Sequence, residues 1–407
     1  MPRPAASKTL TYEAWAIVAP GLESLLAAEL QALGFVDAEA NPGGVAFRCD
    51  LGGLARANLN TRLASRIVVR LAAFKATAFH ELERAARKVE WARMLPEGAA
   101  FDLRVTARKS RLYHTDAIAE RVADAITRGV KGARASEGVD DDGDAESVLP
   151  VEMDAPPAEA AAQTVSQRFL VRFEHDRCTI SADSSGPLLH RRGYRQAVAR
   201  APLRETLAAA MLAGARYDAS QALVDPFCGS GTLPIEAAML ARRIAPGLGR
   251  PFAAEAWPEG DASVWLSERA EAESRILPRA PAPIEGSDRD EGAITAAESN
   301  AVRAGVADDV RFTRRALSDL ELPTERGLLV SNPPYGLRVG EKAPLRDLYS
   351  RLGQVVRARG AGWRVALLSA DRALEGHTGL RFTEALKTSN GGIPVRLVIA
   401  SARGSVR

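Results

Sequence analysis

Apolar positions in the first third of the chain change period from one segment to the next. Leu22, Leu25, Leu26, Leu30 and Leu33 recur every three or four residues, which predicts a helix over 22–33 ended by Gly34. Tyr12–Val18 alternates as a strand does. A turn at Asn41–Gly44, a strand Val45–Cys49, a helix Leu51–Leu59 and a strongly apolar strand Arg66–Phe74 complete a small α+β unit. A second unit follows, with helix His80–Val89, alternating strand Phe101–Ala107 and a helix Thr115–Gly129 expected to be capped by Thr115. Phe169–Phe173 and Arg177–Ala182 read as a hairpin. From helix Leu203–Ala213 onward, short apolar strands (Ala222–Val224, Ile284–Ser287, Val310–Thr313, Leu328–Ser331, Trp363–Ser369) alternate with helices Thr232–Arg243, Glu291–Ala304 and Leu345–Arg357. That pattern predicts a doubly wound, mostly parallel sheet. A Pro- and Trp-rich excursion over 246–283, with a helix Ala262–Ile276, interrupts it. Ser389–Ile393 reads as a turn into a last strand, Arg396–Ala400.

Composition narrows the class. With 407 residues, 46% hydrophobic and 26% charged, a soluble chain of two or three domains is expected. No apolar run has the length of a membrane span, and the first residues lack the core of a signal peptide. Cys49, Cys178 and Cys228 lie far apart without metal-ligand spacing, which points to a reducing cytoplasm and to no metal centre. The net charge of +3 hides an asymmetry. Residues 134–166 hold nine acids and one Arg and read as a flexible insert, while 167–204 hold eight Arg against three acids. A basic body suits a polyanionic partner.

Three clusters carry candidate chemistry. Ser331-Asn332-Pro333-Pro334-Tyr335-Gly336 follows an apolar strand, and two prolines force a turn there. The turn offers an amide, a free proline carbonyl and an aromatic ring at the carboxyl end of a strand, where open α/β sheets bind ligands. Such a set grips a planar amino group, although a simple surface turn would also use two prolines. Asp225-Pro226-Phe227-Cys228-Gly229-Ser230-Gly231-Thr232 joins a strand to a helix. It lacks both the Gly-x-Gly-x-x-Gly and the Lys-Ser/Thr of nucleotide-phosphate loops, which argues against a nicotinamide dehydrogenase. Gly286-Ser287-Asp288-Arg289-Asp290 places an acid where ribose hydroxyls are held. Arg108–Thr115, with three cations, a Tyr and a His before a helix, suits phosphates and a stacked base, or is only a polar loop.

In this order, DPFCGSGT, GSDRD and SNPPYG resemble the motifs of class I S-adenosylmethionine-dependent methyltransferases acting on exocyclic amino groups. LHRRGYR at 189–195, APLRETLAA at 201–209, GTLPIEAAMLA at 231–241 and KSRLYHT at 109–115 extend the resemblance over nearly the whole chain. It is to bacterial THUMP-domain RNA guanine-N2 methyltransferases, and most to the amino-terminal half of the 23S rRNA enzyme. The resemblance implies a ferredoxin-like domain at 1–72, a THUMP domain at 73–185 with the 134–166 insert, a basic linker at 186–201 and a Rossmann-like catalytic domain at 202–407. The second methyltransferase unit of fused relatives is not expected in these 407 residues. It implies S-adenosylmethionine held by Asp225, Pro226, Cys228, Gly229, Ser230, Gly231, Thr232, Asp288 and Asn332, and catalysis by Asn332, Pro333, Pro334 and Tyr335. RNA contact falls to Lys109, Arg111, His114, Arg191, Arg192 and Arg195. Ala316 stands where the family often has an adenine-reading Asp, and Asp319, the nearest acid, is expected to contact the cofactor in its place. A tRNA enzyme, an adenine-N6 or glutamine methyltransferase, and a non-catalytic RNA-binding assembly factor are the alternatives.

Overall fold

The N-terminal half is built on one sheet rather than two separate units. The computed structural model describes residues 10–136, 166–196, 203–335 and 342–401. Strands β1 (Tyr12–Ile17), β2 (Glu39–Asn41), β3 (Gly44–Cys49), β4 (Arg66–Lys75), β5 (Ala100–Arg108), β6 (Arg134–Ala135), β7 (Gln167–Glu174) and β8 (Arg177–Asp183) lie in the order β2-β3-β1-β4-β8-β7-β5-β6. The length of β4 makes this possible. Its first residues pair with β1, from Arg66 opposite Ile17 to Val69 opposite Ala14. From Val68 to Lys75 it pairs with β8, across a bulge between Arg70 and Ala72. The helices α1 (Glu23–Ala32), α2 (Leu51–Asn60), α3 (Phe79–Ala86) and α4 (Thr115–Gly129) bury their apolar stripes, α1 through Leu26 and Leu30. Thr115 is the first helical residue of α4, so His114 takes the cap position and no side chain caps the helix. Of the acidic 134–166 stretch, 137–165 lies outside the described residues.

The C-terminal half contains helices α5 (Glu205–Gly214), α6 (Thr232–Ala241), α7 (Ala262–Ser274), α8 (Glu291–Arg303), α9 (Lys342–Arg359) and α10 (Arg372–His377). Its strands are β9 (Ala222–Asp225), β10 (Ile284–Asp288), β11 (Val310–Arg314), β12 (Arg326–Ser331), β13 (Gly362–Ser369), β14 (Thr383–Asn390) and β15 (Ile393–Ser401), in the order β11-β10-β9-β12-β13-β15-β14. All neighbours are parallel except around β15, which runs antiparallel to β13 and β14. The chain steps outward from β9 to β11 and then returns to the other side of β9. The carboxyl ends of β9 and β12 therefore flank a crevice. The turn expected over Ser389–Ile393 is confined to Gly391 and Gly392, with φ of 56° and 80°. Strand β14 escapes sequence reading because it is a polar edge strand exposed at Thr383, Glu384 and Ala385.

The 246–283 excursion straps the two halves together. Trp257 donates its indole N–H to Gln167 Oε1 at 2.7 Å and lies edge-on to Tyr12, ring centres 6.1 Å apart. Arg93 meets Glu259 at 2.7 Å, and Arg250 donates to the carbonyls of Leu188 (2.7 Å) and Ser185 (3.1 Å). Helix α7 packs on α2. One continuous apolar core, from Tyr12 to Leu397, runs through both halves.

Candidate active site

Asp225 ends β9 and is 2% exposed. Its Oδ1 accepts the Ser331 hydroxyl at 2.5 Å and the Phe227 N–H at 3.1 Å, which ties the end of β9 to the end of β12. Burial pushes this carboxyl up to about 7, against the pull of those two hydrogen bonds. The next residues fold back on β10. Pro226 is buried, and so is Cys228, whose N–H donates to the Ser287 carbonyl at 3.0 Å. Gly231 has φ of 86° and stands at the cap position of α6. A Cβ there would lie 2.9 Å from the Ala297 side chain and the Phe312 ring. A Cβ on Gly229, at φ of 52°, would meet nothing within 4 Å, so the loop's open side lies at this residue. Ser230 and Thr232 are buried, and Asn300 of α8 donates to the Ser230 carbonyl at 3.0 Å. Asp288 Oδ2 accepts the Gly229 N–H at 3.1 Å and its Oδ1 the Asp290 N–H at 3.0 Å. Asp290 in turn caps α8 through Gly292 and Ala293. Asp319 is exposed at the end of a short 3-10 turn after β11, where its carboxylate accepts the Ser318 hydroxyl at 3.3 Å.

On the facing strand, Asn332 is half-buried and its side-chain oxygen is fully enclosed without a hydrogen-bond partner among the described residues. A buried acceptor left unpaired costs on the order of 1–3 kcal/mol. Pro333 is buried and Pro334 exposed, while Gly336 lies outside the described residues. Tyr335 is half-buried, packed on a cluster of Leu345, Tyr349 and Leu374, and its hydroxyl accepts the Asn390 amide N–H at 2.8 Å. Ser331, inside the motif, and Asn300 and Asn390, from elements that no motif links to the site, therefore shape it.

The basic residues divide. Lys109, Arg111 and His114 are exposed beside the β7–β8 turn. Asp176 N–H donates to Ser110 Oγ at 3.0 Å, and Arg111 N–H donates to Asp176 Oδ1 at 2.7 Å. Three non-glycine residues there, Lys109, His175 and Asp176, have positive φ. Tyr113, 64% exposed, rests on His114 with ring centres 4.1 Å apart. Arg191 is exposed too. Arg192 and Arg195 correct the expectation of phosphate contact. Arg192 is buried and donates to the carbonyls of Leu189 (2.5 Å) and Arg62 (2.7 Å), with Nε 3.6 Å from the enclosed Glu236. Arg195 bonds the Leu203 carbonyl at 3.0 Å and Glu205 at 3.2 Å. Arg192 holds the joint between the halves, and Arg195 ties the connector to α5. Of the expected linker, 197–201 lies outside the described residues.

A crevice at the switch point, a Gly-x-Gly-Thr loop on one wall, Asn-Pro-Pro-Tyr on the other and one antiparallel strand near the sheet edge define a class I methyltransferase. The arrangement unites the catalytic half with an N-terminal sheet of ferredoxin-like and THUMP parts. The chain belongs to the RMKL-like methyltransferase family, whose domain model matches residues 192–399. An RlmL ferredoxin-like domain matches 13–68 and a THUMP domain 76–140. The Synechocystis protein slr0064, provisionally named an RNA methyltransferase, is 34% identical over 98% of this chain and 99% of its own. A ribosomal RNA large subunit methyltransferase K/L of Syntrophotalea carbinolica is 37% identical over 93% of this chain, which spans about half (52%) of that relative's length. The crystal structure of SMU.472, provisionally described as a methyltransferase and solved with SAH, superposes with a TM-score of 0.83 at 28% identity, covering 97% of this chain and 99% of that one. Among the described residues, no helix is long and apolar enough to cross a membrane.

Proposed function

We propose that the chain transfers the methyl group of S-adenosylmethionine to the exocyclic N2 of a guanine in RNA, with large-subunit rRNA as substrate. The observation that carries this reading is the Asn-Pro-Pro-Tyr segment at the carboxyl end of β12, where the Asn332 side-chain oxygen has no hydrogen-bond partner among the described residues and the next residue, Pro333, supplies a second carbonyl. Two acceptors from consecutive residues match the two N–H bonds of an amino group and nothing on a ring nitrogen without a proton. The cofactor fits the opposite wall. Gly229 leaves its backbone open, Asp288 sits where ribose hydroxyls are held, and Asp225 supplies a buried acid at the strand end. When bound there, it supplies an electrophilic methyl on a sulfonium, so the protein needs an aligned nucleophile more than a strong base.

The guanine N2 lone pair is delocalised into the ring. The Asn332 side-chain carbonyl and the Pro333 backbone carbonyl accept hydrogen bonds from its two N–H groups, and one of those protons is released to water as the methyl passes from sulfur to nitrogen. The two carbonyls draw the nitrogen toward a tetrahedral shape and stabilise positive charge as it develops. Tyr335 provides an aromatic wall for a base that has left its stack. Lys109, Arg111, Tyr113 and His114 hold RNA by phosphate contact and stacking, as does Arg191 by charge, with salt-sensitive affinity. The names of the K/L relatives favour rRNA over tRNA as the substrate.

The test is transfer from labelled S-adenosylmethionine to size-fractionated RNA of a strain lacking this gene, with the nucleoside identified by mass spectrometry. N2-methylguanosine in large-subunit rRNA is expected. The same nucleoside in tRNA would move the substrate, and label in N6-methyladenine or in protein would overturn the reading.

A further inference from the structure

Asn390 has no role in the chemistry above, yet its side chain reaches the catalytic segment from 55 residues away in sequence. It is the last residue of β14, opposite Ile393, and the turn between them is Gly391-Gly392. Two consecutive residues with positive φ form the tight hairpin turn whose twist matches its strands, so the tip has a defined position. The hairpin is braced elsewhere. Arg396 of β15 bonds Glu375 of α10 at 2.5 Å. On β14, the Lys387 carbonyl lies so close to Gly21 of the N-terminal half that a Cβ on Gly21 would run into it. Tyr335, by contrast, follows two prolines, the second exposed, and is only half-buried. Among the described residues the Asn390 amide bonds its hydroxyl, and it ties the ring to the braced hairpin.

We propose that Asn390 is a positioning residue for methyl transfer. Its amide N–H holds the Tyr335 phenol and so fixes the aromatic wall that brings the target amino group onto the Asn332 and Pro333 carbonyls. The role rests on the methyl-transfer reading. It also gives the N-terminal half a mechanical part in catalysis, because Gly21 backs the strand that carries Asn390.

Asn390→Leu keeps the volume and removes the donor. Asn390→Asp keeps a partner, since its carboxylate accepts from the Tyr335 O–H. With rRNA substrate, kcat should fall about tenfold in Asn390→Leu, as loss of one net hydrogen bond implies. The S-adenosylmethionine and RNA dissociation constants should stay within about twofold, and Asn390→Asp should retain near wild-type kcat. In Tyr335→Phe, adding Asn390→Leu should cost nothing further, because the pair acts as a unit. Wild-type kcat in Asn390→Leu, or losses that simply add in the double variant, would overturn the role. So would equal loss in Asn390→Asp and Asn390→Leu with matching falls in thermal stability. A wild-type enzyme that methylates no RNA would instead overturn the reading of the site, and this role with it.

Discussion

Asn332→Ala is expected to lower turnover by about a hundredfold to a thousandfold while leaving the cofactor bound. The substitution deletes the enclosed acceptor that has no partner within the described protein. Its cost therefore falls on the transition state rather than on the fold. Removing one preorganised polar group from a reacting centre typically lowers kcat by about a hundredfold to a thousandfold. A loss in that range is predicted here, with the S-adenosylmethionine dissociation constant changed by no more than about twofold by calorimetry. Stability should not fall, since an unpaired buried oxygen is removed rather than created. Turnover like that of the wild type would remove Asn332 from the chemistry. Loss of cofactor binding in step with turnover would make it a cofactor ligand instead.

The second large effect is on stability. Arg192→Ala deletes a guanidinium that joins the two halves at the Leu189 and Arg62 carbonyls and faces Glu236, whose side chain is fully enclosed. Glu236 would keep the Tyr194 hydroxyl at 3.1 Å and a more distant Arg62 at 4.0 Å. Breaking a buried charge pair by removing one partner costs about 3–5 kcal/mol, and the remaining partners place Arg192→Ala near the lower end. Denaturant unfolding should show that loss. The salt dependence of RNA binding should not change, because a buried arginine neutralises no phosphate. Arg111→Ala should do the reverse, lowering the log–log salt slope by about one with stability intact. A shallower salt slope for Arg192→Ala would return that residue to the RNA surface.

The contrast between these arginines shows where sequence reading stops. Arg191, Arg192 and Arg195 form one basic run, and a charge run on paper does not distinguish a solvated face from a buried joint. The distinction depends on Glu236 and Glu205, which arrive from helices α6 and α5. The two walls of the crevice were readable because glycines and prolines punctuate the ends of apolar strands, and strand-end chemistry follows from that placement. Asn300 and Asn390 were not readable as site residues, and the bond from Ser331 to Asp225 was not readable from the motif that contains Ser331. Each is a single polar residue whose partner lies 70, 55 or 106 positions away. The strongly apolar run Arg66–Phe74 predicted a strand but not that it would serve two units at once, since sharing depends on length and register with β1 and β8. The 246–283 excursion looked like an interruption of the sheet pattern. Its tryptophans and arginines gain a purpose only against the surface of the other half.

The central claim is that Asn332 and Pro333 recognise an exocyclic amino group. The most direct test is transfer to a short rRNA fragment that carries inosine in place of the methylated guanine. Inosine lacks the 2-amino group and keeps the rest of the ring. Transfer should vanish while the fragment's affinity is retained to within about the worth of one hydrogen-bonded contact. Continued methylation at the inosine would place the reaction on a ring atom and contradict the account.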